Sequence, residues 1–292
     1  PYEEGSSRYH IIESNDRADR PLDEVILQDA KDALREKTPI SLSYKVKNTN
    51  RSIGARLSGE IAYRYGDHGL PPDIIELKLK GSAGQSLGAF LVQGVKITLT
   101  GEANDYVGKG MSGGEIVVVP SPNAKYVLNQ NVIIGNTVLY GATGGFLFAL
   151  GRAGERFAVR NSGATAIVEG VGDHCCEYMT NGHVVVLGLT GKNFAAGMSG
   201  GFAYVFDEDG KFESRVNTEM VTVKSLTDLR DMESLKCLMT KYFDKTASFK
   251  AQTILADWEK YVAKFKKVIP HEPVIVPSPV PDQTQEAVLM KG

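Results

Sequence analysis

The sequence predicts a mainly β protein whose strands coil into a parallel β-helix, and three observations support this. First, 24 of the chain's 31 glycines fall between Gly81 and Phe206. Second, they recur just before runs of apolar or β-branched residues, with Gly113, Gly144, Gly163, Gly182 and Gly200 as register marks. Third, the last four marks are separated by roughly 20 residues, which is typical of a β-solenoid, because helical repeats are about 33 residues or longer. The longer step from Gly113 to Gly144 indicates a turn that carries an insertion.

The glycine density also argues against helical repeats, because glycine costs about 0.8–1 kcal/mol at each interior helix position. Two earlier segments are interpreted as degenerate copies of the same unit. Ser58-Gly59 precedes Glu60–Tyr63, and Leu87-Gly88 precedes Ala89–Val92. Stacked repeats bury one continuous core along their axis. We therefore expect the glycines at the tight corners between strands, where a positive φ is needed.

The residues before the glycine region predict one helix and short strands. Pro21 to about Lys37 has an apolar stripe and acidic residues in its first turn, which indicates a helix that caps the sheet. Ile40–Tyr44 and Ile74–Leu79 are predicted strands, and Ile61–Tyr65 is either a strand or a short helix.

The residues after the glycine region predict two helices and an extended tail. Asp207–Gly210 forms the closing turn. The helices are expected over Leu226–Phe243 and Ser248–Lys267, and five prolines from Pro270 onward indicate an extended linker. The predicted domain organisation is a segment and capping helix at 1–37, a β-helix at 38–210, helices at 211–267 and a proline-rich tail at 268–292.

Composition limits the partners and the compartment. The chain has 292 residues, a net charge of −2 and a pI near 6.3, which argues against nucleic acid or an anionic membrane as the main partner. No apolar segment approaches the ~18 residues of a membrane span, and there is no signal-peptide pattern. Three cysteines cannot all pair, which favours a reducing intracellular setting, in the cytoplasm or an organellar matrix. The first residue is Pro1, from which we expect a piece of a longer polypeptide.

One glycine cluster matches a nucleotide-binding fingerprint. Gly108-Lys-Gly110-Met-Ser-Gly113 fits G-x-G-x-x-G, which requires a helix after it to hold a phosphate. A strand-like run ended by Pro120 follows instead, and a near copy occurs at 195–201. The interpretation we favour is a structural repeat with no bound nucleotide.

The densest group of reactive side chains is Asp173-His174-Cys175-Cys176-Glu177. A Cys–His pair can form a nucleophile, and these residue types can ligate metal. Adjacent side chains on an extended strand point to opposite faces, so they do not converge on one ion. We expect a turn with one buried thiol.

A carbohydrate-cleaving β-helix would need paired carboxylates on one lateral face. The available acids are scattered over different turns and no spacing selects a pair: Glu102, Asp105, Glu115, Glu155, Glu169 and Asp173. Together these analyses assign no catalytic, cofactor-binding or metal-binding residue to the chain.

Six runs closely resemble the C-terminal GXGXG domain of glutamate synthase. The resemblance covers about residues 1–265, and the runs that carry it are 50–62, 81–90, 101–110, 134–145, 154–163 and 170–179. It implies a single-stranded, right-handed parallel β-helix of about seven turns with helices flanking both ends. It also implies a structural domain without catalytic residues.

The resemblance further implies the surroundings of the domain. Glutamate synthase makes two glutamates from glutamine and 2-oxoglutarate, using an amidotransferase domain, a central domain and an FMN/iron–sulfur domain. These domains would be the partners, and FMN and the iron–sulfur cluster would lie outside this chain, whose three cysteines lack cluster-binding spacing. FAD and a nicotinamide cofactor stay open, since the electron donor is a nicotinamide or ferredoxin.

Two other functions stay open at this stage. One is a GXGXG scaffold subunit of a formylmethanofuran dehydrogenase-like complex, which predicts a poor match over the N-terminal helix and residues 50–62. The other is a carbohydrate-active parallel β-helix enzyme, which predicts a lateral cleft lined by converging carboxylates.

Overall fold

The computed structural model describes residues 20–125 and 130–271. The segment before the predicted capping helix and nearly all of the proline-rich tail lie outside these residues. The helices are α1 Leu22–Asp29, α2 Lys31–Glu36, α3 Ala55–Tyr65, α4 Leu229–Thr246, α5 Phe249–Ala256 and α6 Trp258–Val262. The strands are β1 Ile40–Val46, β2 Ile75–Ala83, β3 Val95–Ala103, β4 Ser112–Val119, β5 Val132–Ile134, β6 Gly144–Ala149, β7 Arg152–Ala153, β8 Ser162–Val168, β9 Asn181–Val186, β10 Phe202–Phe206, β11 Val221–Ser225 and β12 Phe265–Pro270.

The strands form one 12-stranded mixed sheet, which confirms the mainly β class. The order along it is β1-β2-β3-β4-β6-β8-β9-β10-β12-β11. Neighbours from β1 to β10 are parallel, while β12 runs antiparallel to both β10 and β11. The short strands β5 and β7 extend from the end of β3 as a second, smaller array.

The pairing register reproduces the glycine period. Ile75 lies opposite Val95, and Phe146 lies opposite Thr165, so the members of each pair are one glycine repeat apart in the chain. The step from Ile116 to its partner Leu147 is longer, because it contains β5. The step from Ile40 of β1 to its partner Ile75 is also longer, because it contains α3.

Alternate residues of the central strands enter two separate cores. Ile116 and Val118 of β4 belong to the larger core, while Val117 between them belongs to the second core beneath α4 and α5. The same alternation holds in β6, where Leu147 and Ala149 face the first core and Phe148 faces the second. Burial on both faces explains why these strands are continuous apolar runs.

The N-terminal helices differ in detail from the prediction. The expected single helix is two, because α1 ends at Asp29 and α2 begins at Lys31. The Ser58-Gly59 unit is wrong as a strand: it lies in α3, which buries Leu57, Ser58 and Ile61 on one face. Their spacing is that of a helix face, which outweighs the glycine signal. The open choice for Ile61–Tyr65 is therefore settled as helix.

The buried carboxylate of Asp23 holds α1 against α3. It accepts hydrogen bonds of 2.6 Å from the amides of Gly54 and Arg56, at the start of α3. Burial raises the pKa of Asp23, and these two backbone bonds oppose that effect. The capping role expected for this region is thus carried by a helix pair.

The segment around Leu87-Gly88 is also wrong as a strand unit. Ser86, Gly88 and Phe90 have φ values of 66°, 66° and 57°. Residues other than glycine have a negative φ in an extended strand, so Ser86 and Phe90 do not lie in one. The strands before and after this segment are β2 and β3, whose side chains alternate between core and surface.

The predicted helix over Ser248–Lys267 is wrong beyond Val262. The chain breaks at Asp257 between α5 and α6, and Phe265–Pro270 is the strand β12. Val268 pairs with Ala203 and Val223, so it is buried between two strands. The expected domain boundary at 267/268 falls inside this strand.

Most glycines of the repeat permit close contact between turns. A Cβ on Gly144 would stand 2.5 Å from the carbonyl oxygen of Ser112, and one on Gly182 would stand 2.5 Å from that of Ala164. Such distances are far below a carbon–oxygen contact of about 3.3 Å. At Gly144 the close contact alone requires glycine, whereas Gly182 also has a φ of 98°, which favours glycine.

Candidate docking surface

A second hydrogen-bonded array lies across the larger core from the main sheet. In each of six segments that connect strands, which we call turns, three alternate residues have positive φ, and we call these residues the corner ladder. They are Ser86, Gly88, Phe90; Tyr106, Gly108, Gly110; Thr137, Leu139, Gly141; Arg156, Ala158, Arg160; His174, Cys176, Tyr178; and Asn193, Ala195, Gly197.

Backbone hydrogen bonds join the ladder from turn to turn. In the first five triplets the amide of the first residue donates to the following turn, for example Arg156 to the carbonyl of Asp173 at 2.8 Å. The second donates to the preceding turn, for example Cys176 to the carbonyl of Phe157 at 2.8 Å. These bonds satisfy backbone groups that would be costly to bury unpaired.

The expectation that glycines turn the corners is only partly right. Five of the 18 ladder residues are glycine, and the others carry side chains in the left-handed region. That conformation costs roughly 1–2 kcal/mol per residue. The buried second residues of the triplets, such as Leu139 and Ala158, offset this cost by packing in the core.

The outer residues of the ladder present fixed aromatic rings. Phe90 is 57% exposed and Tyr178 is 59% exposed. The Phe90 ring lies over Gly110 and the Tyr178 ring over Gly197, where a Cβ would stand 2.8 and 2.5 Å from the ring atoms. The glycine in the next turn therefore leaves room for each ring to pack directly against the backbone.

Two further rings on this surface, Tyr106 and Tyr140, each have a cation over them. Lys109 Nζ lies 5.7 Å from the Tyr106 ring centroid, and the Arg160 guanidinium lies 5.8 Å from that of Tyr140. Neither cation forms a salt bridge with any residue in the described ranges. We call this surface the docking stripe: Phe90, Tyr106, Lys109, Tyr140, Arg160 and Tyr178.

Sequence reasoning missed the docking stripe. Its members lie in the short segments between strands, whereas the glycine pattern directs attention to the strands. A usable signal exists, because large aromatic and basic residues recur there just before or after the small residues of the ladder.

The Asp173–Glu177 segment is part of the ladder and forms a structural turn. Cys175 and Cys176 are both fully buried with their sulfurs 3.6 Å apart, so the expectation of one buried thiol is wrong. Alternating left-handed residues turn both side chains inward, which a plain strand could not do. Burial raises the pKa of the Cys175 thiol, which keeps it protonated and unreactive.

The neighbouring polar groups of this segment are occupied by structural bonds. Asp173 Oδ1 accepts the amide of Lys192 at 2.7 Å, and His174 Nδ1 lies 3.1 Å from the Asn193 amide nitrogen. Arg156 forms a 2.7 Å ion pair with Glu177. Residues 20–125 and 130–271 contain no group of three side chains arranged to hold a metal.

The G-x-G-x-x-G match lies in a corner. Gly108 and Gly110 belong to the ladder, and Gly113 lies in β4. A strand thus follows the motif instead of a helix, so the geometry that binds a phosphate is not formed.

The scattered carboxylates have separate roles. Asp105 accepts the amide of Asn136, as Asp173 does in its own turn, and Glu115 forms an ion pair with Lys245. Glu102 accepts the Ser82 hydroxyl, and Glu155 is exposed.

Glu169 lies in the second core. It accepts a 2.5 Å bond from the Ser248 hydroxyl, which also caps α5. Burial raises the pKa of Glu169. This contact ties the helical layer to the sheet and was not foreseen from the sequence.

Comparison with known proteins shows the family of this chain. The chain belongs to the GXGXG motif family, whose family model matches residues 23–271. Within the described residues, no helix combines the length and apolar character that a bilayer span requires.

The relatives within that family are glutamate synthases, which confirms the resemblance found in the motifs. The chain is 52% identical over 251 residues to ferredoxin-dependent glutamate synthase 2 of Synechocystis, covering 85% of this chain. It is 50% identical over 258 residues to the NADPH glutamate synthase large chain of Bacillus subtilis, covering 88% of this chain. It is 48% identical over 268 residues to the NADH glutamate synthase of Schizosaccharomyces pombe, covering 92% of this chain.

The chain matches only a small part of these relatives. The matched share is 16% of the Synechocystis protein, 17% of the Bacillus protein and 13% of the yeast protein. The activity of the whole enzymes therefore comes to this chain only as a proposal.

Proposed function

We propose that this chain is the scaffold domain of a glutamate synthase, holding the amidotransferase, central and FMN/iron–sulfur domains in place without catalysing a step. The parent reaction converts glutamine and 2-oxoglutarate into two glutamates. The relatives are named as glutamate synthases with ferredoxin, NADH or NADPH, so the electron donor is left open.

The proposed form of the scaffold is a single-stranded, right-handed parallel β-helix of about seven turns. Three features support it: parallel strands one repeat apart, the corner ladder across the same core, and hydrogen bonds between turns on both sides. Such a stack resists bending, because each turn is bonded to its neighbours over most of its length.

The observation that carries the scaffold role is the docking stripe. Aromatic residues and arginine are enriched at protein interfaces, and rings already held in one orientation lose little entropy on binding. Lys109 and Arg160, without acidic partners in the described residues, favour a surface that presents carboxylates. We propose that the remaining glutamate synthase polypeptide supplies this surface.

The cofactors of the parent enzyme would lie in those other domains. Cys237 is exposed on α4, whereas Cys175 and Cys176 are buried in the corner ladder, so the three thiols do not fit a shared iron–sulfur cluster. We propose a reducing intracellular compartment, since all three cysteines are free.

The docking role is tested in an intact glutamate synthase that contains this chain. Arg160→Glu and Tyr178→Ser should each lower glutamine-dependent glutamate formation at least several-fold and loosen the domains to limited proteolysis. Phe249→Ser is the matched control, because Phe249 is 79% exposed on the helical layer, across the sheet from the stripe. Wild-type activity and proteolysis in both stripe variants would contradict the proposal.

A second test uses the 292-residue chain by itself. Purified from a reducing host, it should show no flavin absorbance and release no ammonia from glutamine. Bound flavin or glutaminase activity in a homogeneous preparation would show that the domain is more than a scaffold.

A further inference from the structure

A polar cleft opens between the outer face of the sheet and α4, away from the docking stripe. It measures about 300 Å³ and is lined by Asp73, Gln93, Lys96, Glu115, Phe146, Lys241 and Lys245, among others. Lys96, Glu115 and Phe146 form its floor, because they lie side by side in register on β3, β4 and β6. Lys241 and Lys245, one helical turn apart on α4, form its wall.

Two of the three lysines in the cleft form ion pairs. Lys96 forms an ion pair with Glu76 at 3.4 Å, and Lys245 forms one with Glu115 at 2.7 Å. Lys241 forms no salt bridge with any residue of the described ranges; its Nζ lies 3.3 Å from the Phe146 ring centroid. Burial, the largest influence, lowers the pKa of Lys241, while the carboxylates of Glu115 and Asp73 raise it from beyond ion-pair distance. The Lys241 ammonium therefore faces the cleft without a direct ion pair.

Glu115 supplies a buried acceptor beside that ammonium. Its Oε1 atom is buried and lies 2.7 Å from Nζ of Lys245, with which it forms an ion pair. A carboxylate oxygen can accept more than one hydrogen bond, so Glu115 can also accept a bond from a ligand that carries a donor.

We propose that this cleft binds a small carboxylate that carries a hydrogen-bond donor on the adjacent carbon, as α-hydroxy and α-amino acids do. The ligand carboxylate pairs with Lys241, and the neighbouring hydroxyl or ammonium group donates to Glu115. The edge of the Phe146 ring, whose face Lys241 covers, contacts the carbon skeleton. This binding does not depend on the scaffold role.

Three ligands of nearly equal size separate these contacts. L-Lactate carries a hydroxyl donor, L-alanine an ammonium donor, and propionate neither. Each is titrated into the ¹⁵N-labelled 292-residue chain while the amides of Gly94 and Gly114, which line the cleft, are followed by NMR. Sodium chloride at equal ionic strength is the control for screening.

We expect saturable shifts with lactate and alanine, and at least several-fold weaker binding of propionate. Alanine binding in preference to lactate identifies an amino acid as the ligand type, and the reverse order identifies a hydroxy acid. Shifts that rise linearly and are reproduced by sodium chloride would overturn the proposal, as would equal binding of propionate.

Amino-acid substitutions test which side chains contact the ligand. Lys241→Met keeps the chain length over Phe146 but removes the charge, so all binding should fall about tenfold or more, and Lys241→Arg should retain it. Glu115→Gln should reduce alanine binding more than propionate binding. Lys236→Met is the matched control, because Lys236 is also on α4 but lies over Trp258, outside the cleft. Unchanged binding in Lys241→Met would refute the site.

Discussion

Replacing Gly144 by alanine tests whether close contact between turns is the reason for the glycine repeat. Gly144 pairs with Ser112 of the neighbouring strand, and a Cβ at Gly144 would stand 2.5 Å from the Ser112 carbonyl oxygen. Reaching a contact of about 3.3 Å requires the two turns to separate by roughly 0.8 Å. The adjacent bond from the Thr143 amide to the Met111 carbonyl is 2.8 Å.

The cost follows from that bond. Lengthened by about 0.8 Å, it would no longer be a hydrogen bond, and a buried unpaired backbone group costs about 1–3 kcal/mol. We therefore expect Gly144→Ala to lower the free energy of unfolding by about 2 kcal/mol. For a domain of this size that corresponds to a fall in Tm of roughly 4–8 °C.

The assay is urea unfolding followed by circular dichroism, together with a thermal melt of the same preparations. Gly59→Ala is the matched control, because Gly59 lies in α3 and a Cβ there meets nothing within 4 Å. It should raise stability by about 0.5–1 kcal/mol, since alanine is the better helix former. If both variants change stability equally, or if Gly144→Ala is neutral, close contact does not explain the repeat.

Three further predictions concern buried groups and one exposed thiol. Burial raises the pKa of Glu169 above its usual value of 4.5, so the stability it contributes is present below that pH and is lost as pH rises through the folded-state pKa. Glu169→Gln should therefore gain Tm over the wild type progressively as the pH rises above 4.5, and a gain independent of pH would contradict this. Ser248→Ala should lower the free energy of unfolding by about 1–2 kcal/mol, because it removes the α5 cap and the bond to Glu169. Urea unfolding measures this loss, with Thr253→Ala, which removes an exposed hydroxyl on the same helix, as the control. An Ellman titration should label Cys237 quickly and the buried Cys175 and Cys176 only after denaturation, and fast reaction of all three thiols would refute their burial.

Part of the fold could be predicted from local signals in the sequence. The apolar runs after Gly113, Gly144, Gly163, Gly182 and Gly200 are strands or lead into strands one repeat apart, because glycine spacing and β-branched runs act locally. In the Ser58-Gly59 segment two local signals compete, the glycine of the repeat and the helical spacing of Leu57, Ser58 and Ile61. The packing against α1 and the buried Asp23 decides for helix.

The helix prediction for the end of the C-terminal region was wrong because long-range packing decided its structure. Phe265–Pro270 has two lysines and an apolar spacing that a helix would also accommodate. Its strand conformation depends on free edges offered by β10 and β11, which lie well before it in the chain, with three helices between. Pairing with strands that are distant in the chain produces little recognisable pattern in the local sequence.

The sequence by itself determined the mainly β class and the family, since both rest on residue types at fixed spacing. Only the tertiary structure decided which close contacts the glycines permit, where the left-handed residues lie and which surface cations have no ion pair among the described residues. The corner ladder holds left-handed residues such as Phe90 and Tyr178 because the stacked turns hydrogen-bond them in place, a constraint absent from any single repeat. The cleft at Lys241 likewise depends on α4 crossing strands that are distant in sequence, a contact made by packing between layers.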